Sequence, residues 1–177
     1  MKSKSVALSA ISSAFISIVL TIGAYVELVD LYSVVIAPIF VIMPLYLKSY
    51  KGSIMAFLVG GTIAFLCSGF NFFSIVFPAY FSFSGLYPIL KCKMIDKRFI
   101  GIKSTIIGLT WCMIAFYGVY CFYVYVAGGI FEGIPEFIKK YLIYIIGIIS
   151  IIFYFVYDKF IIVIRVFLNK YLSRIIK

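Results

Sequence analysis

Charge along this chain is confined to short clusters, and long apolar segments run between them. No charged residue falls between Gly52 and Leu90 or between Ser104 and Phe131. Between those runs lies the densest cluster, Lys91–Arg98 (KCKMIDKR). About 20 apolar residues cross a hydrocarbon core roughly 30 Å thick, so the run from Gly52 to Leu90 is too long for one crossing. Its best break is Ser68-Gly-Phe-Asn71, a turn-like cluster. The pattern predicts six membrane-spanning helices at about 5–26, 31–47, 52–67, 72–90, 102–127 and 141–157. From Asp158 onward polar residues fall at 158/159, 165, 169/170, 173/174 and 177, close to the helical period. That spacing predicts an amphipathic helical tail over 158–177, either lying on the membrane surface or extending the sixth span. The expected fold class is an all-α integral membrane protein with a single six-span domain.

Composition agrees and adds direction. The chain is 65% hydrophobic and 12% charged, with mean hydropathy +1.18, whereas soluble domains are near one-quarter charged. The formal charge of +10 would suit nucleic acid on a soluble chain, but here it reads as the basic bias of cytoplasmic loops, and a nucleic-acid partner is not expected. With the N-terminus inside, six spans place every Lys and Arg except Lys139 and Lys140 on the cytoplasmic side. Glu27, Asp30, Glu132 and Glu136 then lie outside. Five or seven spans would spoil this partition. The expected location is the cell (plasma) membrane, with both termini cytoplasmic. The first apolar run is too long for a signal-peptide core and reads as a retained span. Pro38 and Pro44 interrupt the second span, which predicts an irregular helix whose freed carbonyls are satisfied by neighbouring helices.

Candidate chemistry is sparse. The chain has no His, and Cys67, Cys92, Cys112 and Cys121 lack the close spacing of a zinc site. No nucleophile has a base-bearing neighbour in the sequence, so neither catalysis, a metal nor a cofactor is expected. Three features stand out. Ser3, Ala7, Ala10, Ala14 and Ser17 share one face of the first span. Such a small-residue face serves either packing within the bundle or docking of a separate membrane subunit. On the outer side, Glu27, Asp30, Asn71, Glu132 and Glu136 accompany Tyr80, Tyr120, Tyr144 and other aromatic residues of spans four to six. Aromatic walls with a few polar groups suit a small organic ligand, and an interfacial aromatic belt with solvated loop charges is the alternative. Finally, Lys91 in YPILK and Asp158 in VYDK fall at one membrane depth, and an ion pair there would pin spans four and six. As an interfacial pair it would contribute little to stability.

The Ala10-x-x-x-Ala14 face, the Lys51-Gly52…Gly60-Gly61…Ser68-Gly69 rhythm, and the segments YPILK (87–91) and FVYDK (155–159) resemble the substrate-binding S component of energy-coupling-factor (ECF) transporters. The last two are similar to a branch of S-component-like membrane proteins from Gram-positive bacteria. The resemblance covers nearly the whole chain through short motifs. It implies capture of a vitamin or similar micronutrient from outside, and association with a transmembrane T component and two ATPase subunits. By the same resemblance Ala7, Ala10 and Ala14 form the docking face. Glu27, Asp30, Asn71, Tyr80, Tyr120, Glu132 and Tyr144 are then the candidate substrate-binding residues. The chain has no phosphate-binding Gly-rich loop ending in Lys-Ser/Thr, so ATP hydrolysis would belong to a partner. The alternative is a membrane scaffold or morphogenesis protein resembling MreD. A channel fits less well, because the spans carry no interior charge.

Overall fold

The computed structural model describes residues 3–71, 73–99, 101–125 and 136–175. Among them there are helices and turns but no strand. The helices are α1 (Ser3–Tyr25), α2 (Asp30–Ile42), α3 (Tyr50–Cys67), α4 (Val76–Ala79), α5 (Leu86–Asp96), α6 (Ile102–Tyr125) and α7 (Glu136–Ile175). A 3₁₀ turn, Met43–Leu47, continues α2, and a π-turn, Tyr80–Ser84, joins α4 to α5. Among the described residues five helical segments are long and apolar enough to cross a membrane: Ser3–Tyr25, Asp30–Leu47, Tyr50–Cys67, Ile102–Val124 and Tyr141–Tyr171. The chain is a multi-pass helical membrane protein.

Helices α1 and α3 lie parallel, as four contacts along their length show. Ser5 Oγ donates to Ser49 Oγ at 3.4 Å, and Tyr25 hydroxyl donates to the Cys67 carbonyl at 3.0 Å. Between these ends Gly52 faces Ser9, and Gly60 faces Ile16. A side chain at Gly60 would come within 2.9 Å of the Ser13 carbonyl, so only glycine permits this approach. The neighbouring Gly61 packs under the rings of Tyr80 and Phe81 instead. The glycine pair thus faces two different elements.

Helix α6 runs antiparallel to α7: Tyr117 hydroxyl donates to the Ile143 carbonyl at 2.9 Å, and Gly108 sits against Tyr154. Segment 76–96 runs along α7 in the same direction, with Tyr157 hydroxyl on the Ser84 carbonyl and Arg165 on the Cys92 carbonyl. One end of the bundle therefore gathers Ser5, Ser49, Tyr50, Asp96 and Arg165, and the other gathers Tyr25, Cys67, Phe73 and Tyr123. The basic cluster Lys91–Arg98 is at the first end; Glu27 and Asp30 are at the second.

Each broken stretch of helix is repaired by a hydroxyl from another element. Pro38 supplies no amide to the Val34 carbonyl four residues back, and Ser84 Oγ donates there at 2.7 Å. Pro44 leaves the Val41 carbonyl without a 3₁₀ donor, and Ser53 Oγ donates to it. Pro88 withdraws the amide from the Ser84 carbonyl, which accepts from Tyr157 hydroxyl at 3.1 Å. The widened π-turn accompanies this last break; its Gly85 amide bonds the Tyr80 carbonyl five residues back. The irregular second helix, with its freed carbonyls met by neighbouring elements, is as the sequence predicts.

One expectation changes and one open alternative is decided. The fourth predicted span, 72–90, is instead helical over 76–96 with the π-turn inside it. Lys91 does not end that helix, because it is buried and paired rather than solvated. Of the two placements expected for the tail, the structure shows extension of the sixth span: α7 is continuous from Glu136 to Ile175. Its polar residues Asp158 and Arg165 turn into the bundle, while Ile162, Val163, Val166 and Phe167 are exposed. Bonds to Lys91, the Cys92 carbonyl and Asp96 reward that inward rotation.

Candidate functional site

The end carrying Glu27 and Asp30 opens into a cleft of about 530 Å³ lined by Gly23, Ala24, Glu27, Asp30, Asn71, Phe73, Ser74, Ile75 and Tyr123. Its first wall is the α1–α2 connection. The Val26 amide still bonds the Ile22 carbonyl, then Val29 bonds Val26 at 2.8 Å, and α2 starts at once. This tight turn holds Glu27 and Asp30 three residues apart. Gly23 lets α2 press against α1 there, since a side chain at Gly23 would overlap Ser33. One Asp30 oxygen accepts the Leu31 amide at 2.5 Å. Glu27 is exposed and Asp30 half-buried.

The opposite wall comes from the chain leaving α3. Gly69 and Phe70 both take positive φ, 69° and 59°, and the Phe70 amide bonds the Phe65 carbonyl. This reversal, where the sequence signals a turn, presents Asn71. Helix α6 closes the back: Tyr123 is 9% exposed and its hydroxyl donates to the Phe73 carbonyl at 3.0 Å, fixing the 73–75 turn. The resulting lining is two carboxylates, an amide, a serine hydroxyl and two aromatic rings.

Of the seven predicted site residues, Glu27, Asp30 and Asn71 come together here. Tyr80 does not: it is fully buried, packs on Phe57, and donates to the Phe57 carbonyl at 3.2 Å. Aromatic type at the right depth cannot distinguish a core ring from a cavity ring. Tyr120 is half-buried on α6 outside the cleft lining, and Tyr144 is 68% exposed on α7. Glu132 lies outside the described residues. Sequence reasoning missed Tyr123, although it falls on the aromatic stretch of α6, because nothing local ranks it above Tyr120. A second, nearly apolar cavity of about 540 Å³ is bounded by α3, α4, the π-turn and α6.

The predicted docking residues sit on the surface. Ala7, Ala10 and Ala14 are all exposed, whereas Ser5, Ser9, Ser12 and Ile16 face the bundle. Packing within this chain uses the serine face of α1 and leaves the alanine face open.

At the basic end, the expected Lys91–Asp158 pair is present, with Nζ 2.7 Å from Oδ1. It is buried rather than interfacial: the two side chains are 9% and 17% exposed. Tyr87 hydroxyl donates to the same carboxylate at 2.5 Å. One turn further, Asp96 receives Arg165 and Tyr50. This end clamps α3, α5 and α7; among the described residues the two carboxylates at the cleft end have no ion-pair partner.

The fold and these two ends define the class: a multi-pass helical membrane protein with a ligand-sized cleft at one end of its bundle. Comparison with protein-family models, with curated proteins and with solved structures finds no match to this chain.

Proposed function

We propose that this chain is a substrate-binding subunit resembling the S component of ECF transporters, capturing a vitamin or similar micronutrient and docking on a T component and two ATPase subunits. The cleft that joins Glu27, Asp30 and Asn71 from two separate connections is the observation that carries the reading. The exposed Ala7, Ala10 and Ala14 support it, since a face of small residues left open by the chain's own packing suits a second helix. In this reading the protein crosses the plasma membrane six times, segment 76–96 being the fourth crossing. The basic end, with both termini, is cytoplasmic, and the cleft opens outward.

Purification of the tagged full chain from its native membrane, with mass spectrometry of proteins and extracted small molecules, tests this. Recovery of a T-like subunit, two ATPases and a bound micronutrient is the expected result. Recovery of cell-wall synthesis or cytoskeletal proteins without a ligand would replace the transporter reading by the MreD-like scaffold. Ala10→Trp and Ala14→Trp are expected to abolish association with the T-like subunit while leaving the chain inserted, because both positions are exposed. Unchanged co-purification with both substitutions would remove the docking role.

A further inference from the structure

We propose that a lateral groove between α3 and α6 holds one hydrocarbon chain of a bilayer lipid. This groove is a different cavity from the cleft, and its role is independent of the transporter reading. Segment 76–96 packs against α1, α2, α3, α6 and α7, and so lies at the centre of the bundle. Around it α3 packs on α1, α1 on α2, α2 on α7, and α7 on α6. Among the described residues no comparable packing joins α6 back to α3, so the ring of helices is open on that side. The nearly apolar cavity of about 540 Å³ lies in this gap. Phe65 of α3 and Gly118 of α6 flank it, with Phe77 and Phe81 of the central segment behind. Gly118 is exposed, and a side chain there would meet nothing within 4 Å among the described residues. The groove thus opens sideways. Both flanking helices are long and apolar enough to cross a membrane, so it opens onto hydrocarbon.

The lining decides the occupant. An ordered water needs about two to four polar partners. Ser82 supplies the only polar side chain of the described lining; its Oγ is buried, and its carbonyl accepts the Trp111 indole N–H at 3.1 Å. A polar micronutrient would lose its hydration there and gain almost no hydrogen bonds in return. A partner helix approaches closely over small residues, whereas Phe65, Phe77, Phe81 and Phe122 line this groove. A flexible chain can follow such bulky walls, and the walls are set in place. Phe77 packs edge-on with Phe65 at 5.2 Å, and Phe81 does so with Phe57 at 5.7 Å and Tyr80 at 5.5 Å. Lipid tails are as apolar as the groove, so transfer between them supplies little. Contact with fixed rings on several sides holds a chain there longer than a smooth helix face would.

Trp111 reports on the groove. It is the only tryptophan, it bonds the Ser82 carbonyl, and it lies about two turns before Gly118 on the same face of α6. The full-length protein in detergent micelles is titrated with dioleoyl phosphatidylcholine brominated on its acyl chains, and Trp111 emission is followed. The expected result is saturable quenching from a single bound lipid. Unbrominated dioleoyl phosphatidylcholine is expected to reverse it, and glycerophosphocholine, the headgroup without chains, is not. Gly118→Leu and Val119→Phe each fill the groove and are expected to lose the saturable quenching, while Gly118→Ala retains it. Because the space is open, Gly118→Leu is expected to melt no lower than the unsubstituted protein. Quenching merely proportional to added lipid, reversal by glycerophosphocholine, or saturable quenching indifferent to both filling substitutions would each overturn the inference. So would a stoichiometric protein partner that shields Trp111 from the brominated lipid, since a helix would then occupy the groove.

Discussion

Replacing Ser84 by alanine removes one hydroxyl from the centre of the bundle, and the structure says what that hydroxyl does. Ser84 is 1% exposed and donates to the Val34 carbonyl, which Pro38 has deprived of its helical donor. A buried carbonyl left unpaired costs about 1–3 kcal/mol. Bonds between helices in membrane proteins average nearer 0.6 kcal/mol, with a maximum of about 1.7. The expected loss is therefore about 1.5 kcal/mol, or a melting temperature lower by roughly 3–6 °C for a chain of this length. Trp111 is the only tryptophan, and its indole N–H donates to the Ser82 carbonyl at 3.1 Å. Its emission reports unfolding two residues from the substitution. The decisive measurement is a double-mutant cycle with Pro38→Ala, which restores an amide for the Val34 carbonyl. In that background Ser84→Ala is expected to cost about 1 kcal/mol less than it does alone. An equal cost with and without Pro38 would refute the exchange of a backbone donor for a serine hydroxyl.

Other expectations follow from the same structure. Because the Lys91–Asp158 pair is buried, Asp158→Asn is expected to destabilise the protein by about 3 kcal/mol in detergent unfolding, whereas Lys91→Met with Asp158→Leu is expected to be near neutral; equal losses in both would show that packing, not charge, is at issue. Asp96 receives both Arg165 and Tyr50, so Asp96→Ala is expected to cost about 1 kcal/mol, read as a lowered melting temperature. An unchanged melting temperature would contradict the clamp. Gly60→Leu drives a side chain toward the Ser13 carbonyl and is expected to cost about 2 kcal/mol or more, read as a lowered melting temperature.

Charge and hydropathy made much of this bundle legible in the sequence. The turn at Ser68–Asn71 and the meeting of Lys91 with Asp158 follow from spacing and depth alone. What spacing cannot supply is rotation about a helix axis. Tyr80 and Tyr123 are both tyrosines in apolar stretches, yet one is core and the other lines a cleft. The polar residues of 158–177 illustrate the same limit. Their helical period is real, but an amphipathic stripe can face water or a polar partner, and only the presence of Cys92, Asp96 and Lys91 opposite decides. The worth assigned to the ion pair failed for a related reason. Depth along the chain follows from spacing, whereas lateral burial depends on Tyr87 and the helices around it.

The prolines connect these observations. Three of them, Pro38, Pro44 and Pro88, open carbonyls in α2 and in segment 76–96, and each carbonyl is met by a side chain from a different helix. In hydrocarbon an open carbonyl has no water to fall back on, so neither segment is satisfied by its own hydrogen bonds. Ser84 sits at the crossing: its hydroxyl serves α2, and its carbonyl accepts from α7. Segment 76–96 is absent from the helices that qualify as spans by length and hydropathy, because a π-turn divides it. The borrowed hydroxyls and the buried Lys91–Asp158 pair provide what an isolated 20-residue helix would provide for itself. That dependence on neighbours means the fourth crossing proposed here would be a poor span alone and needs the bundle around it.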